Sequence, residues 1–321
     1  MGGSSSIPFP TSERVCEFWR WNHTTEGVTE PFWTAGSGIV VTTGPCSGSP
    51  LHWKWRMRHG AVSLAELVFA EHKGEHWDVL FCSDMLDLPA FLGHARSLVA
   101  DVPAVVYFHE NQLTYPVRHE DERDLHYAIT NLTSAHAADS VWFNSAFHRA
   151  ELLQAAGELL ARLPAGLPEG IVSGIDKKSV VETPGIDAIS PRDIRTSGPL
   201  RILWAARWEF DKGPEDFFAA LNILADNNVD FRVSVVGEQF RTVPPVFREA
   251  RERLHERIDR WGYQQSRTDY VRCLREADVV VSTAIHEFFG LSMIEAISAG
   301  ARPLLPRRLA YPEILAPLGD S

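Results

Sequence analysis

Residues 201–217, RILWAARWEFDKGPEDF, contain a buried strand, a charged turn and the start of a helix within one short stretch. The apolar run ends at Ala206, the turn carries Arg207 and Lys212, and Gly213-Pro214 opens the helical pattern PEDFFAALNILADNN (214–228). Proline suits the first helical turn because it has a preset φ and lacks an N–H that would go unused there. A strand followed directly by a helix is half of a βαβ unit, and repeated units of this kind build parallel sheets.

The same alternation recurs on both sides. DVLFCS (78–83), AVVYFHE (104–110) and SVWFNS (140–145) predict buried strands upstream, and FRVSVVG (231–237) and DVVVSTA (278–284) predict strands downstream. Helices are expected over REARERLHERIDR (248–260) and LSMIEAISAG (291–300), the latter ending at Gly300. Between the second and third upstream strands, Leu125, Ala128, Ile129, Leu132 and Ala135 recur at helical spacing and predict an amphipathic helix with these residues inward. ETPGIDAISPRDIRTSGP (182–199) is rich in Pro, Gly and Ser and marks the connection between two domains. The expected fold class is α/β with parallel sheets, in an irregular segment 1–50, an N-terminal Rossmann-like domain 51–190 and a C-terminal one 199–321. Within residues 1–50, GSGIVVTTGPCSGSP (36–50) is the strand-like piece, and no helix follows before Leu51.

A chain of 321 residues with 45% hydrophobic content has room for two domain cores. Its formal charge of −11 argues against wrapping nucleic acid over the whole surface, so any such partner is met locally. Cys16, Cys46, Cys82 and Cys273 are scattered singly, which implies reduced thiols. No run is apolar enough to span a bilayer, and the N-terminus lacks a signal-peptide pattern. A cytoplasmic protein without a membrane partner is expected, in which the sequons at Asn22 and Asn131 carry no weight.

The chemistry concentrates in two places. In HEFFGLSMIEA (286–296), Glu287 precedes a helix beginning near Gly290 and Glu295 lies within it. The free N–H groups of that helix start suit a diphosphate, and carboxylates accept hydrogen bonds from ribose or sugar hydroxyls. Arg207 and Lys212, at a strand's carboxyl end beside another helix start, form a clamp for a pyrophosphate. Each charge taken singly is as well explained by surface solvation; the combination points to a nucleotide-sugar site. VVGE (235–238) ends the next strand at the same edge, and Trp261-Gly262-Tyr263 offers a floor for a nucleobase. No Asp-x-Asp or histidine cluster offers a metal cage, so neither a metal nor a bound cofactor is expected.

Arg207 with Lys212, the paired Glu287 and Glu295, and PGID (184–187) resemble the large group of retaining glycosyltransferases with the GT-B fold, two facing Rossmann-like domains. HWKWRMR (52–58), SDMLDLPAFLG (83–93), YFHENQLTYPVR (107–118), NLTSAHAADSVWFNSAFHR (131–149) and PRRLAYPEIL (306–315) narrow the resemblance to the tRNA-queuosine α-mannosyltransferase family. The resemblance implies GDP-mannose as donor and queuosine in tRNA as acceptor. It implies diphosphate contacts from Arg207 and Lys212, ribose contact from Glu295 and sugar contact from Glu287, with Phe288, Gly290 and Leu291 completing the donor site. His109, Glu110 and Glu287 would be catalytic, His109 through its carbonyl or imidazole, while Asn111 and Gln112 position the acceptor. Lys54, Arg56 and Arg58, interleaved with Trp53 and Trp55, suit tRNA phosphates and equally suit an amphipathic edge strand.

Two departures from the family pattern stand out. Residues 1–50 lack the opening strand, Gly-rich loop and helix, and the chain stops soon after Tyr311-Pro312-Glu313, so both domains are expected to be incomplete. Two alternatives follow: a catalytically impaired nucleotide-sugar or tRNA-binding homologue, and a GT-B transferase using another donor on a lipid or small molecule. Oligomeric state is not legible in the sequence.

Overall fold

The computed structural model describes residues 32–35, 38–41, 53–71, 77–117, 123–163, 170–192, 197–239 and 243–318. Cys16, Cys46 and Asn22 lie outside them, as do the side chains of Lys54 and Arg56. The chain divides into two compact units, Met1–Gly185 and Ile186–Ser321.

The first unit is a six-stranded sheet in sequence order: β1 (Phe32–Ala35), β2 (Gly38–Val41), β3 (Val79–Ser83), β4 (Ala104–Phe108), β5 (Ser140–Phe143) and β6 (Ser179–Val181). β1 is antiparallel to β2, and every later neighbour pair is parallel. The central strands are buried on both faces, as parallel strands between covering layers must be. Leu80, Cys82, Val106, Val141 and Phe143 join the larger core under the helices. Phe81, Val105, Tyr107 and Trp142 form a smaller cluster.

Three expectations change here. β2 is followed by α1 (Trp53–Glu71) and runs parallel to β3, so the opening βα unit that the sequence had not revealed is present. With it goes the motive for a binding-only protein that rested on its absence. α1 also replaces the edge strand weighed for Lys54, Arg56 and Arg58. The amphipathic helix forms as α4 (Leu125–Ala137), after α2 (Leu88–His94) and α3 (Arg96–Val99), but its inward face is rotated. Leu125 and Ile129 are exposed, while Asn131 and Ser134 are buried beside Ala128, Leu132 and Ala135. Hydrogen bonding explains the exchange: Asn131 Nδ2 donates to the Asp84 carbonyl at 2.9 Å and Ser134 Oγ to the Leu86 carbonyl at 3.0 Å. These side chains satisfy the loop leaving β3, whose buried carbonyls would otherwise lack partners. α5 (Ala146–Arg162) and α6 (Ile171–Lys177) complete the unit.

The second unit is a fully parallel sheet of β7 (Leu200–Ala205), β8 (Phe231–Val236), β9 (Ile258–Gly262), β10 (Val279–Val281) and β11 (Arg302–Leu304), in the order β11-β10-β7-β8-β9. Sequence order reverses between β7 and β10, making a topological switch point, and ligands of open α/β sheets bind beyond the carboxyl ends of the strands at such points. Its helices are α7 (Pro214–Asp226), α8 (Val246–Arg253), α9 (Arg267–Glu276), α10 (Leu291–Ser298) and α11 (Tyr311–Leu315). The helix expected over 248–260 stops early, and residues 258–262 form β9 instead. β9 is an edge strand, where charged residues are tolerated, and Asp259 accepts a 2.7 Å bond from Arg232 Nε. Residues 186–192 pack on this unit: Ile189 is buried in its core and its N–H donates to Ser298 Oγ.

Gly237, at φ +153° after β8, would place a Cβ 1.8 Å from the Ala206 carbonyl oxygen. Gly237→Ala is therefore expected to destabilise the chain by more than about 3 kcal/mol. Gly93, with open space around it, tolerates alanine within about 1 kcal/mol. Urea unfolding of the two variants checks the contrast.

Candidate active site

In the second unit the β7–α7 turn and the β10–α10 loop are sewn together by the backbone. Ile285 and His286 N–H groups both donate to the Asp211 carbonyl, and Thr283 Oγ1 donates to the Lys212 carbonyl at 3.0 Å. Gly213, at φ +62°, lets the turn lie against Thr283, where an added Cβ would fall 2.3 Å from its carbonyl oxygen. Ser292 Oγ, in the first turn of α10, donates to the Ala205 carbonyl at 2.7 Å and pins the helix start to the end of β7. Gly290, at φ +91°, lies against the Tyr311 ring, which leaves little room for a Cβ.

Two of the predicted donor residues, Lys212 and Glu287, meet across this seam. Lys212 is 7% exposed; its Nζ donates to the His286 carbonyl at 3.0 Å and lies 3.1 Å from Asp211 Oδ2 and 3.4 Å from Glu287 Oε2. Burial by itself lowers the pKa of this ammonium, but Glu287 and Asp211 outweigh it and hold the value above the ordinary one. Glu287 shows the mirror case: burial raises its carboxyl, and Lys212 with the Phe289 N–H brings it below the usual range. Arg207 stands nearer solvent, its Nε 3.3 Å from Glu209 Oε2. Phe288 is turned inward, edge-on to the His286 ring at 4.4 Å.

Glu295 is held separately. Tyr270 O–H donates to its Oε2 at 2.8 Å and Arg267 Nη2 lies 2.7 Å from its Oε1. Trp261 packs edge-on to Trp208 at 5.2 Å, within the aromatic core of this unit.

In the first unit, His109 follows β4 and its Nδ1 lies 2.5 Å from Oδ1 of the buried Asp84. Its carbonyl accepts from Asn144 Nδ2 at 2.9 Å, and Asn144 Oδ1 is 2.9 Å from Nδ1 of buried His148. Asn111, expected to meet the acceptor, points inward instead: its Oδ1 accepts from the N–H groups of Leu113 and Thr114 and caps the loop. Gln112 N–H donates to Asn131 Oδ1 at 2.7 Å, and its Nε2 donates to Glu110 Oε1 at 3.2 Å. Arg123 clamps the same loop through the Leu113 and Tyr115 carbonyls. Arg58 is engaged with Tyr127 Oη and Asp124 Oδ2, tying α1 to the start of α4.

Asp84, Asn131, Asn144, Asp211, Arg267 and Tyr270 were missed as site residues. Asp84, Asn131, Asn144 and Asp211 gave one signal, polarity at buried positions, and Arg267 and Tyr270 gave none.

Comparison with known proteins now places the chain. Residues 43–186 match the tRNA-queuosine alpha-mannosyltransferase N-terminal domain, and residues 187–318 match glycosyl transferases group 1. The tRNA-queuosine alpha-mannosyltransferase of Drosophila melanogaster is 35% identical over 82% of this chain and 71% of the fly protein. The chain belongs to the tRNA-queuosine alpha-mannosyltransferase family. It is a glycosyltransferase, which uses a nucleotide-sugar donor and an acceptor. A sucrose-phosphate synthase from Thermosynechococcus elongatus has the same GT-B fold, with a TM-score of 0.68 at 15% identity over 95% of this chain and 76% of its own. A trehalose-6-phosphate synthase gives a TM-score of 0.58 at 15% identity, covering 82% of this chain and 64% of its own. Among the described residues of this glycosyltransferase, no helix is long and apolar enough to cross a membrane.

His286 sits at the seam with its pKa lowered to about 4 by burial, then by Lys212. The unfolded chain takes up a proton below the ordinary value of 6.5 that the folded one refuses until about 4, so stability is lost as pH falls across that window. His286→Gln should remove on the order of 2 kcal/mol of this acid-side loss, measured by urea unfolding at stepped pH.

Proposed function

We propose that this glycosyltransferase moves mannose from GDP-mannose to the queuosine of tRNA in the cytoplasm, with retention of configuration and without a metal. The observation that carries the reaction class is the junction of Arg207, Lys212 and Glu287 with the start of α10 at the sheet's switch point. The choice of mannose and queuosine is supported by the family membership and by the fly relative's name.

In this reading the diphosphate lies at the N-terminus of α10, where free N–H groups and the helix dipole favour anions. Arg207 exchanges Glu209 for a phosphate oxygen. Lys212 exchanges its longest contact, Glu287, while Asp211 and the His286 carbonyl keep the ammonium in place. Glu287, so released, accepts from hydroxyls of the sugar, and Glu295 accepts from the ribose. The C1–O bond to the diphosphate breaks as the acceptor oxygen bonds C1 on the same face, and the acceptor proton passes to the departing phosphate oxygen. The role assigned to His109 is to favour developing positive charge at C1, and within its own unit Asp84 fixes the ring by holding Nδ1. Asn111 acts on the loop that carries Glu110 and Gln112, and these two meet sugar and acceptor.

GDP should raise the thermal midpoint of the protein, and Arg207→Ala should weaken GDP binding about tenfold or more, since it removes charge-assisted bonds. Glu295→Ala and Lys212→Ala should abolish the thermal response. Labelled mannose should pass from GDP-mannose to tRNA containing queuosine and not to tRNA lacking it. Transfer to another acceptor alone would overturn the queuosine assignment, and a preference for UDP over GDP would overturn the donor.

A further inference from the structure

Glu295 differs from Glu287 in how it is held. It lies within α10 and is 8% exposed, and both of its oxygens have partners from α9. The start of α9 is fixed by Ser266, whose Oγ accepts from the Asp269 N–H at 3.0 Å and donates to Asp269 Oδ2 at 2.8 Å. This cap sets Arg267 and Tyr270 one helical turn apart on one face, so that the guanidinium lies over the Tyr270 ring at 5.3 Å. Both then reach the same carboxylate, Tyr270 O–H to Oε2 at 2.8 Å and Arg267 Nη2 to Oε1 at 2.7 Å.

The two partners are unlike in permanence. Tyr270 is partly buried against the core of the unit, and its pKa stands well above the ordinary phenol value, by desolvation first and by Glu295 second, so it remains a donor at any physiological pH. Arg267 has a side chain 44% exposed and reaches Glu295 from the solvent side. A half-exposed ion pair of this kind contributes little net free energy, and its guanidinium loses little on returning to water.

We propose that Tyr270 locks one oxygen of Glu295 and that Arg267 occupies the other as a removable substitute for the ribose diol of the nucleotide. The proposal rests on the donor reading above and deepens it. Tyr270 is a positioning residue: by fixing Oε2 it holds the plane of the carboxylate, so that Oε1 faces an incoming diol in one orientation. Arg267 neutralises that buried oxygen while no diol is there, and the diol must displace it. Only a nucleotide with both ribose hydroxyls can make the exchange, so the pair sets discrimination between ribose and deoxyribose.

Isothermal titration of the full chain with GDP and with 2′,3′-dideoxy-GDP tests this. Arg267→Gln should tighten GDP binding about threefold, because the competitor is gone, and leave the dideoxy compound unchanged. Tyr270→Phe should lower the ratio of GDP to dideoxy-GDP affinity about tenfold. Far-ultraviolet circular dichroism verifies that both variants are folded, and Arg267, at the surface, can be replaced without disturbing the core. Weaker or unchanged GDP binding in Arg267→Gln would overturn the proposal, as would an equal loss for both nucleotides in Tyr270→Phe. If the unaltered protein binds neither nucleotide, the donor reading itself fails, and the inference with it.

Discussion

The buried ammonium of Lys212 is the constraint on which the second unit's functional edge depends. Taking a lysine out of water costs several kcal/mol unless opposite charge and hydrogen-bond acceptors replace the solvent. Here Asp211, Glu287 and the His286 carbonyl do so, and they come from two different connections, one after β7 and one after β10. The charge therefore cannot be satisfied unless the two loops meet. Their meeting brings Gly213 against Thr283 and places Gly290 where α10 must start. The burial of this ammonium and the local fold are thus consequences of one another.

The first unit solves a related problem with a network of hydrogen-bonded side chains. Asp84 is wholly buried at the end of β3, and His109 at the end of β4 reaches it. Asn131 and Asn144 take up the adjacent backbone carbonyls of Asp84 and His109. Such a network is costly if any member is left unpaired, and so it fixes the geometry of the loop from Glu110 to Tyr115 far more tightly than apolar packing would.

Much of this was legible in the sequence where local chemistry and fold agree. Buried β-branched runs gave strands such as AVVYF, Pro214 and Gly300 marked helix ends, and Arg207, Lys212, Glu287 and Glu295 announced themselves by charge beside turns. What escaped was decided by partners remote along the chain. IDRWG is too charged to suggest a strand, yet β8 supplies its hydrogen bonds at a sheet edge. The inward face of α4 carries Asn131 and Ser134, whose reason lies in the carbonyls after β3. GIVV reads as strand-like and is β2; what escaped is its parallel pairing with β3 and the helix α1 that follows. In the same way, nothing in the sequence indicated that Arg267 and Tyr270 would share the carboxylate of Glu295.

The most direct test of the Lys212 constraint is a double-mutant cycle on unfolding free energy, using Lys212→Met, Glu287→Gln and the pair in the full chain. If one ammonium joins the two loops, the coupling energy should exceed about 1 kcal/mol, with the double variant more stable than the sum of the single losses predicts. Effects that add to within about 0.5 kcal/mol would contradict it, because distant or independent sites behave in that way.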